Sequence, residues 1–88
     1  VRLGAREVRP GETLISFGGL QVSGEDRATM VLNLSPAGDL REATANLFDY
    51  LKKADAATEV GIAVVPIPAH GLGEAINDRL SRAAAPRT

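Results

Sequence analysis

Two glycine-containing turns stand where an α/β chain would place phosphate chemistry. The first, Gly71-Leu72-Gly73, lies between an apolar run and an amphipathic one. In a strand-to-helix turn of this kind, backbone N–H groups and a helix N-terminus can meet phosphate oxygens. The full G-x-G-x-x-G pattern fails, because Ile76 takes the third position, and no acidic residue follows beyond a further strand. The second turn, Ser35-Pro36-Ala37-Gly38-Asp39, follows an earlier apolar run. It has no Lys and no G-K-S/T ending, so it is not a Walker A loop. The simpler reading of both is a turn that admits a helix. Ser35, Gly38, Gly71 and Gly73 are nevertheless the candidates for contact with an anion such as a nucleotide phosphate, or with another domain.

Other reactive residue types are sparse. His70 is the single histidine, and there is no cysteine. Zinc sites take three or four ligands, so His70 alone cannot make one. Without G-x-S-x-G or a second His, it reads as an exposed loop histidine. Glu25 with Asp26 and Glu74 with Asp78 are paired carboxylates. The first pair falls on a polar loop, and the second on a helix beside arginines, where ion pairing is the ordinary explanation. Asn77-Asp78-Arg79 is a dense polar triplet in the middle of a helix. Asn and Asp are mediocre helix formers, which marks Asn77, Asp78 and Arg79 as interface candidates. No catalytic or metal-binding residue is assigned.

The elements that position these residues follow from periodicity. The chain has 88 residues, enough for one domain and one small core. Its aromatic residues are Phe17, Phe48 and Tyr50, so the core must come from Val, Leu, Ile and Ala. Arg9-Pro10-Gly11-Glu12 is a turn leading to a strand at 13–17, ended by Gly18-Gly19. Residues 21–28 are polar and read as an exposed loop, the most mobile stretch. A second strand, 29–34, is nearly continuously apolar, which predicts cover on both faces. A helix follows over 39–54, with Asp39 and Glu42 at capping-box spacing. Its stripe is Leu40, Ala43, Leu47 and Leu51, widened by Phe48, with Lys52 and Lys53 in the last turn. The third strand, 60–65, is apolar on both faces and ends at Pro66-Ile67-Pro68. The last helix, 72–84, has the stripe Leu72, Ala75, Ile76, Leu80 and Ala83, an Asp78–Arg82 pair at i,i+4 spacing, and Pro86 to stop it.

The order β-β-α-β-α predicts a small α/β domain with a short, mainly parallel three-stranded sheet. The strand–helix–strand unit at 29–65 is a crossover, a connection that is right-handed in about 98% of cases. The chain has ten basic and eleven acidic residues, for a net charge of −1, with no basic stripe. Direct nucleic-acid binding is therefore not expected. No apolar run is long enough to span a membrane and no secretory leader is visible, so the expected location is the cytoplasm. The start at Val1 without Met reads as a fragment of a longer polypeptide.

Three segments in this order and spacing resemble one family. They are Val31-Leu-Asn-Leu-Ser-Pro-Ala-Gly-Asp-Leu40, Ala45-Asn-Leu-Phe-Asp-Tyr-Leu51, and the run from Pro66 to Ala84. Gly71-Leu-Gly-Glu-Ala-Ile-Asn-Asp-Arg-Leu80 is the most specific part, and Arg9-Pro-Gly-Glu12 with Phe17-Gly18 fits the opening. Together they resemble the C-terminal domain of Sua5-type threonylcarbamoyl-AMP synthases. The resemblance implies a small Rossmann-like, three-layer accessory domain whose partner is an N-terminal YrdC-like catalytic domain of the same chain. It implies a parent enzyme that makes threonylcarbamoyl-adenylate from threonine, bicarbonate and ATP, with magnesium, and so serves the tRNA t6A machinery indirectly. The family's catalytic residues belong to the other domain, so none is carried over here, and no cofactor is expected in this one.

Overall fold

The computed structural model describes residues 2–19, 21–57 and 60–84. Three strands form one parallel sheet: β1 (Thr13–Ser16), β2 (Met30–Asn33) and β3 (Ile62–Val64). Two α-helices follow β2 and β3: α1 (Leu40–Ala57) and α2 (Leu72–Ala84). The expected β-β-α-β-α order and parallel sheet are therefore present. The strand order is β2-β1-β3, with β1 in the middle. All four residues of β1 are buried, as a central strand requires.

Register decides which side chains share a face. Thr13 lies beside Met30 and Ile62, and Leu14 beside Val31 and Ala63. Ile62 faces the hollow between the two helices, so the set containing Thr13, Ile15 and Val64 turns to the helical layer. Ala43, Leu47 and Ala54 of α1, with Ile76 and Leu80 of α2, close this core. Leu14 and Ala63, on the opposite face, are also fully buried. Their cover comes from irregular chain that carries Ala5, Val8 and Val22 into the core. The third layer is therefore made of loops.

The loop over 21–28, expected to be the most mobile stretch, is instead tied down. The Ser23 carbonyl accepts from the Val8 N–H at 2.8 Å, and a short 3₁₀ turn spans Glu25–Arg27. Val22 is buried beneath it, an apolar anchor in a stretch that otherwise reads as polar.

The two edges of the sheet differ. The outer edge of β3 is capped by the N-terminal segment. Arg2 N–H donates to the Ile62 carbonyl at 2.7 Å, Val64 N–H to Arg2 at 2.9 Å, and Ala5 N–H to Val64 at 2.8 Å. β2 is the other edge. Met30 and Val31 are exposed there, against the expectation of cover on both faces, whereas Leu32 and Asn33 are half-buried: among the described residues the covering layers reach only the second half of this edge strand.

The side-chain hydroxyl of Thr13 is buried without a hydrogen-bond partner. A buried polar group left unpaired is costly, and a same-shape apolar replacement removes that cost. Thr13→Val is expected to be neutral or to stabilise the domain by up to about 1 kcal/mol in urea denaturation. A loss of stability would show that the hydroxyl has a partner in solution.

Candidate functional site

Both α-helices begin at the carboxyl ends of the strands, where open α/β sheets place ligands. The turn before α1 is held by its own side chains. Ser35 is fully buried, and its Oγ accepts the Asp39 N–H at 2.9 Å. Asn33 Oδ1 accepts the Ser35 N–H at 3.0 Å, while Asn33 Nδ2 donates to the Gly18 carbonyl at 2.9 Å. These bonds tie the ends of β1 and β2 together. Asp39 is the N-cap, with Oδ1 accepting the Arg41 N–H at 2.9 Å. Only half of the predicted capping box forms, because Ser35 takes the Asp39 N–H that Glu42 would have reached. A carboxylate thus occupies the helix N-terminus where an anion would have to bind.

The turn before α2 is held by backbone contacts. Gly71 there, like Gly38 before α1, has a positive φ, 55° and 76° respectively, the left-handed conformation that glycine adopts without strain. Gly73 N–H donates to the His70 carbonyl at 2.9 Å, and Glu74 N–H to Gly71 at 3.1 Å. Gly73 is buried against the Pro68 carbonyl, so close that any Cβ there would clash with it. His70 itself is exposed. Among the described residues, no three His, Asp or Glu side chains gather as a metal site would need.

The Asn77-Asp78-Arg79 triplet divides by direction. Asn77 turns inward, and its Nδ2 donates to the Ile67 carbonyl at 3.1 Å, fixing the chain after β3 to the middle of α2. Asp78 pairs with Arg82 at 3.1 Å in the open, at the predicted i,i+4 spacing. Arg79 lies 5.5 Å from the centroid of the Phe48 ring on α1. The buried face of α2 is therefore Gly73, Ile76 and Leu80, with Asn77 at its margin. Leu72, Ala75 and Ala83, expected in the stripe, are exposed. Pro86 lies outside the described residues.

Phe48 also departs from expectation. Successive helix residues turn by about 100°, so Phe48 stands well away from Leu47, which points into the core. It is 56% exposed. Lys52 sits over the same ring, 5.3 Å from its centroid, and Lys53 lies 5.5 Å from that of Tyr50. The helix runs on to Ala57, so neither lysine occupies its last turn.

These residues line two adjoining hollows between α1 and α2, of about 420 and 380 Å³, which share Phe48, Arg79 and Arg82 as walls. Leu51, Lys52 and Asp55 line the first, and Ala75 and Asp78 the second. The first reaches Ile62, the first residue of β3, so the groove extends toward the amino ends of the strands and away from the glycine turns. It offers apolar surface with cations around it, and contains no histidine. The residue that sequence reasoning missed is Phe48. Its angle on the helix, with Lys52 one turn later, was the available signal.

No helix among the described residues is long and apolar enough to cross a membrane. No curated protein and no solved structure matches the chain. One family profile does, that of the threonylcarbamoyl-AMP synthase C-terminal domain, over residues 5–85. That match takes in every strand and the whole of both helices, and the chain belongs to the family of threonylcarbamoyl-AMP synthase C-terminal domains.

Proposed function

We propose that this is an accessory, regulatory domain of a threonylcarbamoyl-AMP synthase, without catalytic residues of its own. The family match over residues 5–85 carries this reading. The candidate turn residues support it, because Ser35, Gly38, Gly71 and Gly73 are engaged in shaping two helix entries. In this reading the catalytic domain lies elsewhere in the synthase. It joins threonine, bicarbonate and ATP, with magnesium, into threonylcarbamoyl-adenylate for t6A modification of tRNA in the cytoplasm. The present domain docks on the catalytic domain and adjusts its activity.

Deleting the domain from the synthase is expected to lower pyrophosphate release from ATP several-fold in the presence of threonine and bicarbonate. Unchanged kinetics together with an unchanged thermal midpoint would overturn the accessory role. Pyrophosphate release by the isolated 88-residue chain would overturn the non-catalytic assignment.

A further inference from the structure

We propose that the groove between α1 and α2 is the docking surface, and that its occupant is an acidic, aliphatic-anchored segment of the catalytic part of the same synthase. This rests on the accessory reading above and adds to it a place and a chemistry.

The groove has an apolar anchor point. Phe48 is 56% exposed, and Leu51 and Ala75 continue the apolar lining beside it. The other two aromatics, Phe17 and Tyr50, pack against the core. An apolar side chain from a partner can therefore cover the Phe48 ring.

The charges select the partner. The walls carry three cations, Lys52, Arg79 and Arg82, and two carboxylates, Asp55 and Asp78. Asp78 is already paired with Arg82. Lys52 and Arg79 form no ion pair among the described residues and rest only on the Phe48 ring. Covering two such cations with apolar surface would strip their water without compensation. A partner that brings carboxylates restores it.

The same charges argue against a second copy of this chain. A two-fold interface puts the same patch on both sides, so against the two unpaired cations a second copy brings only Asp55 as an unpaired carboxylate, and one cation on each side is left without a partner. A covalently linked partner, by contrast, needs little intrinsic affinity. Linkage supplies an effective concentration of about millimolar, which suits an open, half-polar groove.

Hydroxyl-radical footprinting of Phe48 tests this in the synthase that carries the domain. Phe48 is expected to be labelled about tenfold less in the synthase than in the isolated chain, as for a contact closed about nine-tenths of the time. The double reversal Lys52→Glu with Arg79→Glu should return labelling to the isolated level. Reversing the exposed Arg6 and Arg41, off the groove, should leave the protection intact. Equal labelling of Phe48 in the synthase and the isolated chain would overturn the proposal. So would protection that survives the double reversal, or protection in the isolated chain that grows with its concentration. If deletion of the domain alters kinetics while Phe48 stays exposed, the domain docks by another face and only the groove assignment falls. If Phe48 is protected while deletion changes nothing, the groove stands and the regulatory role falls.

Discussion

Replacing Gly73 by alanine is expected to destabilise the domain by about 3 kcal/mol and to lower its thermal midpoint by roughly 12–24 °C. The sign is the reverse of the usual one. At an ordinary exposed helix position, Gly→Ala stabilises by about 1 kcal/mol, because alanine loses less backbone entropy on folding. At position 73 the added methyl would lie 2.9 Å from the Pro68 carbonyl carbon and closer still to its oxygen. Both atoms are backbone, so no side-chain rotation relieves the contact. Pro68 cannot retreat easily either, since the preceding Ile67 carbonyl accepts from Asn77 in the middle of the same helix. The start of α2 would have to lift from the chain after β3, loosening Ile76 and Leu80, each 1% exposed. Thermal and urea unfolding followed by circular dichroism measure the effect. A midpoint equal to or above that of the unsubstituted chain would refute the close approach.

Glu12 is the second position of large effect. It is 5% exposed, and its carboxylate is held from three directions. Arg2 Nη2 donates to Oε1 at 2.7 Å, Arg2 Nε to Oε2 at 3.3 Å, and the Arg9 N–H to Oε1 at 2.7 Å. These bonds clasp the N-terminal segment, which caps the outer edge of β3, to the turn that starts β1. Removing one partner of a fully buried pair costs about 3–5 kcal/mol, and an exposed pair is worth about 1 kcal/mol or less. The Arg2 side chain is 29% exposed, so Glu12→Ala is expected to cost about 2 kcal/mol, between these limits.

The pH dependence has a definite direction. The hydrogen-bonded Arg2 guanidinium, helped by the Arg9 N–H, holds the Glu12 carboxyl below its usual value, against the opposing effect of burial. The folded state therefore favours the ionised form. This stabilisation is fully present above the unfolded-state pKa of about 4.3 and is lost as pH falls through the lower folded-state value. The stability gap between the unsubstituted chain and Glu12→Gln should be widest near neutral pH and narrow below about pH 4. A gap that stays constant from neutral to strongly acidic pH would show that charge plays no part in the clasp.

Local patterns located most of the elements because they depend on neighbours in sequence. The start and end of α2 at Leu72 and Ala84 agree with its amphipathic repeat. The α1 N-cap at Asp39 was legible from its side-chain chemistry. The two helix faces were less so. Glycine and asparagine have no apolar signature, so Gly73 and Asn77 were not recognised as facing inward. The hydrophobicity of Leu72 and Phe48 points to the core, whereas their angles on the helices set them at its margin. The orphan hydroxyl of Thr13 and the buried Glu12 were equally invisible, since neither residue type announces burial.

The α/β class, the order of elements and the family were all legible along the chain, because they rest on apolar runs, turn residues and short segments. Tertiary structure decided the rest. It put β1 between β2 and β3, left β2 as the open edge, and used the N-terminal segment and the loop at 21–28 as a layer over the sheet. It also brought Arg79 of α2 to the Phe48 ring of α1, 31 positions away, where Lys52 already lies, and so formed the groove between the two helices. Helix and strand formation is governed by nearby residues, whereas strand order, burial and the arrangement of surface charge depend on which distant segments pack together.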